Sequence, residues 1–156
     1  MNTHHLAQVN IAKCLAPLDN PIMLDFINSA DRMNRLADAQ DGFVWRLKDQ
    51  DKQTASAIFK DENLIVNLSV WKNMEALFNF TYQTDHVEIY KRKQEWFSKI
   101  EMAYMAFWYI PKGTRPTLQE AHTRLQYLQK HGNTPYAFNF KSKFTLEDAL
   151  NYKLKK

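Results

Sequence analysis

Residues Leu64–Trp71 read Leu-Ile-Val-Asn-Leu-Ser-Val-Trp, and no other stretch constrains the fold as tightly. Side chains along a strand point alternately to opposite faces. Ile65, Asn67, Ser69 and Trp71 therefore share one face, and Leu64, Val66, Leu68 and Val70 share the other. This is the third of four strands in the reading that follows. His5–Ala12 alternates as well, with Ala7, Val9 and Ile11 opposite Leu6, Gln8 and Asn10, the signature of a half-buried strand. Phe43–Leu47 reads as a second strand, and Tyr104–Ile110 as a fourth, closed by Pro111 and Gly113.

Helical signals fall between the strands. Asn20 suits an N-cap and Pro21 the first helical position, where its missing N–H costs nothing. Leu24, Ile27, Ala30, Met33 and Leu36 follow at helical spacing and predict an inward stripe, which Gly42 ends. The polar run Lys48–Ser56 is expected to turn the chain. Asn73 caps a second helical region carrying Met74, Leu77, Phe78 and Phe80, which bends near Thr84-Asp85 and resumes from Val87 to Ile100. Thr117 to Glu120 forms a capping box that opens a helix to His131, with Gly132 as its stop. Phe138, Phe140 and Phe144 are expected to pack on the body, and Thr145–Asp148 to start a short last helix.

The order β-α-β-β-α-β defines an α+β fold: a ferredoxin-like antiparallel four-stranded sheet with an added C-terminal helix, in a single domain spanning residues 1–156. The sheet face without helices needs a cover, supplied by extra chain or by a second subunit. A homodimer is the expectation, and a one-subunit equilibrium mass at micromolar concentration counts against it.

Composition narrows the function classes. With 45% hydrophobic and 24% charged residues the chain is an ordinary globular domain. The net charge of +4 comes from scattered basic residues. Lys91-Arg92-Lys93 reads as a solvated helix face, and the third strand lacks the glycine and paired rings with which RNA-recognition domains stack bases. No nucleic-acid partner is expected. Cys14 is the single cysteine, so no internal disulfide and no cysteine zinc site can form, which suits a reducing compartment. The longest apolar run, Ala103–Ile110, is too short to span a bilayer; no membrane partner is expected, and the cytoplasm is the default location. Glycine occurs only at 42, 113 and 132, which excludes Walker loops, dinucleotide fingerprints and the nucleophile elbow, all of which need clustered glycines.

The candidate site is a pocket between sheet and helices lined by Asn10, Asn67, Trp71, His86 and Trp108, with no metal and no cofactor. Asn10 and Asn67 are amides within apolar strands; each needs hydrogen-bond partners or a ligand to orient. Trp71 and Trp108 suit core or pocket wall. His86 and Glu88 can share a ligand only outside regular helix, because residues two apart point different ways. His131, just before Gly132, suits the negative end of a helix dipole. An apolar or aromatic small molecule is the expected ligand.

Several stretches resemble a bacterial family catalogued as a domain of unknown function, the 3291 family. They are His5–Ala12, Gly42–Leu47, Asn67–Trp71 with Glu75-Ala76-Leu77, Tyr82–His86, Arg92–Phe97 and Gly113–Thr117. The resemblance covers about residues 4 to 140 and implies a dimeric α+β barrel without supplying an activity. More distantly, a strand ending in Trp, then a helix with Glu-Ala-Leu, a polar pair and a His, is similar to antibiotic-biosynthesis and haem-degrading monooxygenases. That similarity implies Asn10 bonding to bound oxygen, Trp71 distorting the macrocycle and His86 ligating iron, although His86 stands earlier than the haem-degrading family's histidine. Three readings follow: a small-molecule-binding protein or cofactor-independent monooxygenase-like enzyme, a non-catalytic dimeric module, or a haem-binding or haem-degrading protein.

Overall fold

The computed structural model describes residues 3–48, 52–83, 88 and 91–155. Its centre is strand β1, His4–Cys14, which is hydrogen-bonded on both sides. β3, Leu64–Trp71, runs antiparallel to it from Leu6 opposite Trp71 to Lys13 opposite Leu64. β2, Phe43–Arg46, pairs with β3 through an irregularity between Phe43 and Trp45. On the other edge of β1 two strands share the length: β5, Met105–Pro111, opposite His4–Asn10, and the short β4, Phe97–Ser98, opposite Lys13 and Cys14. The long strands thus lie in the order β2-β3-β1-β5, all antiparallel, which is the ferredoxin-like arrangement.

Helix α1, Leu24–Asp38, is entered through a 3-10 turn at Pro21–Met23 in which Asn20 Oδ1 accepts from the Ile22 N–H at 3.1 Å. Helix α3, Met74–Gln83, is capped by Asn73, whose Oδ1 accepts from the Ala76 N–H at 2.9 Å. Both pack on the sheet face that carries Leu6, Gln8, Asn10, Ser69 and Trp71. Residues 84–87, where a bend is expected, lie outside the described residues.

The opposite face carries Ala7, Val9, Leu68, Val70, Ala106 and Trp108 and is covered by the chain itself. Helix α5, Leu118–His131, lays Leu118, Ala121, Leu125 and Leu128 on it. Helix α2, Lys52–Phe59, adds Ala55. Of the two covers the sequence allowed, extra chain is the one found. α2 replaces the turn expected from the polar run Lys48–Ser56: Ala55 is buried and Ile58 and Phe59 pack on the core, so tertiary burial overrides a weak local signal.

Three other expectations change. The helix expected over Val87–Ile100 is, past residue 91, one turn, α4 at Lys93–Trp96, followed by β4. Trp96 and Phe97 turn inward onto Phe26, at 5.6 and 4.9 Å between ring centres, and pairing with β1 takes up the backbone. The stripe on α1 holds only in its later part: Met33 is buried and Ala30 and Leu36 are half-buried, while Leu24 and Ile27 are exposed. At the start of α5, Thr117 Oγ1 accepts from the Glu120 N–H, but the Glu120 carboxylate is paired with Arg124. The reciprocal box forms instead at Thr145 and Asp148, opening helix α6, Leu146–Asn151.

Candidate functional site

The face beneath α1 and α3 holds two separate apolar clusters. One gathers Leu6, Trp71, Leu77, Phe107 and Phe138; the other gathers Cys14, Met23 and Trp96. Between them, on the central pair of strands, lie four uncharged polar side chains. The β1–β3 register places Gln8 opposite Ser69 and Asn10 opposite Asn67, so all four meet on one face.

They form a continuous ladder. Asn67 Nδ2 donates to Asn10 Oδ1 at 3.0 Å, and Asn10 Nδ2 donates to Gln8 Oε1 at 3.0 Å. Gln8 Nε2 donates to Ser69 Oγ at 2.7 Å, where Trp71 Nε1 also donates at 2.9 Å. Burial falls from one end to the other. Trp71, Gln8 and Ser69 are buried, Asn10 is half-buried, and Asn67 is exposed although it lies in an interior strand. An exposed amide here means that the two helices leave this row of the sheet open. The ladder satisfies its own buried members, as a polar group under a helix layer requires.

The expected pocket residues separate as follows. Asn10, Asn67 and Trp71 belong to one ladder. Trp71 is its buried end, edge-on to Phe43 at 5.4 Å and stacked on Phe80 at 5.2 Å, so its ring is enclosed by protein. Trp108 lies on the other face of the sheet, fully buried, with Arg124 5.8 Å from its ring centre. Its Nε1 has no hydrogen-bond partner among the described residues. His86 lies outside the described residues. Gln8 and Ser69 were missed by the sequence reading; the available signal was their shared face with Asn10 and Asn67, which becomes informative once β1 and β3 are known to pair.

Two cavities lie away from the ladder. One of about 300 Å³ sits at the sheet end among Cys14, Leu18, Ala55, Asn63 and Val66. The other, of about 190 Å³, lies under α6 among His4, Tyr109, Arg124, Tyr136 and Tyr152. Among the described residues no three His, Cys, Asp or Glu side chains are grouped to hold a metal ion. Three described histidines are held below their ordinary pKa. Burial does this for His5, with Lys112 and Lys72 adding to it, and for His122, with Lys60 adding. Desolvation also leads at His131, followed by Lys130 and Lys155, and its ring lies 4.3 Å from that of Tyr127. No described helix is long and apolar enough to cross a membrane.

Fold and site define a ferredoxin-like α+β domain with an open, uncharged polar row between sheet and helices. The chain belongs to the DUF3291 family, a domain of unknown function whose sequence profile matches residues 5–154, through helix α6 as well as the sheet. No curated protein matches it. Two solved structures are similar over most of the chain. SnoaB, a cofactor-independent oxygenase from Streptomyces nogalater, shares 19% identity at a TM-score of 0.44, covering 74% of this chain and 97% of its own. The NE2512 protein of unknown function from Nitrosomonas europaea shares 12% at 0.45, covering 75% and 97%.

Proposed function

We propose that this chain binds a small, uncharged molecule, apolar or aromatic in its bulk, and that the open polar row between the sheet and helices α1 and α3 serves as the binding cleft. The observation that carries the reading is the exposed end of the ladder. Asn67 stands open on an interior strand, between two apolar clusters and joined to a buried polar network. Apolar walls with a few convergent polar groups are what a small-molecule site needs. All four ladder members between the clusters are neutral, so a charged ligand finds no counter-charge in the row. A cofactor-independent, oxygenase-like reaction on the bound molecule belongs to the same proposal.

A ligand-observed NMR screen of neutral aromatic fragments tests it. Hits on the wild type should be lost on Asn10→Leu/Asn67→Leu, with folding checked by circular dichroism. Hits that persist unchanged on the double variant place binding elsewhere and sink the reading. The homodimer implied by the family resemblance is proposed as well. With the sheet covered by the chain except along the ladder row, such a dimer would use outer surface, where Ile22, Leu24 and Ile27 stand exposed. Sedimentation equilibrium at micromolar concentration decides it: a single-subunit mass ends the dimer.

A further inference from the structure

We propose that the ladder is polarised and presents a hydrogen-bond acceptor, Asn67 Oδ1, to the cleft, so that the site selects neutral molecules carrying an O–H or N–H donor. This deepens the binding reading above and rests on it. The donors along the ladder all point one way. An indole N–H can only donate, and Trp71 uses it on Ser69 Oγ. Gln8 donates to the same oxygen, Asn10 donates to Gln8, and Asn67 donates to Asn10. Every amide thus spends an N–H inward, and Gln8 and Asn10 each receive on the carbonyl from the amide outside. Asn67 is outermost, and no described residue donates to its Oδ1.

Polarity follows from this arrangement. An amide that donates through its N–H carries more negative charge on its carbonyl oxygen, and chains of such bonds reinforce one another. The free carbonyl at the mouth is thus a better acceptor than an isolated asparagine in water. A ligand with a phenolic hydroxyl or a ring N–H completes the chain. An ether of the same shape leaves that carbonyl without a donor and can use only the second Asn67 N–H, and a cation finds no carboxylate among Gln8, Asn10, Asn67 and Ser69. The partly buried rings in the flanking clusters, Phe43 and Phe80 on one side and Phe26 and Phe97 on the other, suit a flat ligand.

The test uses a matched pair of probes, 2-naphthol and 2-methoxynaphthalene, titrated into the ¹⁵N-labelled full chain. The naphthol should bind about three- to tenfold more tightly, the worth of one neutral hydrogen bond. Asn67→Asp, which keeps acceptors at the mouth while giving up the N–H donated to Asn10, should preserve that preference, and Asn67→Leu should abolish it. Asn67 is exposed, so both variants are expected to fold. Equal or tighter binding of the ether to wild type overturns the donor preference and leaves the binding reading standing. If neither probe shifts the Asn67 side-chain amide resonances at about 1 mM, a Kd ceiling near the weakest specific binding, the binding reading falls and this inference with it. A neutron structure of the deuterated protein supplies a ligand-free check. Deuterium on the Asn67 atom facing Asn10 supports the stated polarity, and oxygen in that place overturns it.

Discussion

Ser69→Ala deletes one oxygen and strands two donors. The Gln8 amide and the Trp71 indole both donate to Ser69 Oγ, at 2.7 and 2.9 Å, and all three residues are buried. A buried donor left without a partner costs about 1–3 kcal/mol, so the pair sets a range of about 2–6 kcal/mol. Gln8 retains its bond from Asn10, and its long side chain can swing, which favours the lower half of that range. At roughly 2–4 °C per kcal/mol for a domain of this size, Tm should fall by about 4–16 °C. Asn67→Ala is the matched comparison. It removes the outermost link, and the Asn10 carbonyl it exposes can bond to water, so the cost should stay below about 1 kcal/mol. Urea denaturation of both variants, with equal m-values required, gives the two numbers. If Ser69→Ala costs no more than Asn67→Ala, the ladder is not the buried network described, and the account of how burial falls along it is wrong.

Other consequences can be checked with the same methods. Gly42 holds φ at +89°, and an added Cβ would stand 2.5 Å from the Ala76 Cβ, so Gly42→Ala combines backbone strain with a clash and should lower stability by at least about 2 kcal/mol in urea titrations. Trp96→Ala empties the cluster of Cys14, Met23 and Phe26 and should cost about 3–5 kcal/mol, with Asn67 side-chain resonances little changed because the ladder lies outside that cluster. His5, His122 and His131 are all held below the ordinary histidine pKa in the folded chain, so the unfolded chain takes up protons first as pH falls. Stability should be full above about pH 6.5 and decline below it, and His5→Gln should flatten the profile measured by denaturation from pH 7.5 to 5.

The sheet was legible in the sequence because alternation survives wherever one strand face differs from the other. Leu64–Trp71 begins and ends where its pattern says, and each of its eight residues faces the expected side. Helix α2 was not legible: its sequence, Lys-Gln-Thr-Ala-Ser-Ala-Ile-Phe, is polar at the start, and only packing against the sheet and α5 identifies Ala55, Ile58 and Phe59 as an inner face. α4 and β4 misled for the opposite reason. Trp96 and Phe97 are two large adjacent rings that a helix cannot bury on one side, whereas a chain leaving a helical turn for a strand can. For the site, Asn10, Asn67 and Trp71 stood out as residues unlike their neighbours. Gln8 and Ser69 did not, because what joins them is the register of two strands, and the two residues stand 61 positions apart in sequence.

The ladder also gives the molecule an internal gauge. Asn67 and Trp71 lie on the same strand with Ser69 between them, yet their side chains connect through β1 and back. Whatever completes or breaks a bond at the solvent end changes the pull on each link in turn, and the last link is an indole N–H. Its proton resonance depends on how strongly it is bonded. The indole of Trp108, buried without a partner among the described residues, supplies an internal reference in the same spectrum. Occupancy of the cleft can then be followed on the unmodified protein at a nucleus the incoming molecule never touches.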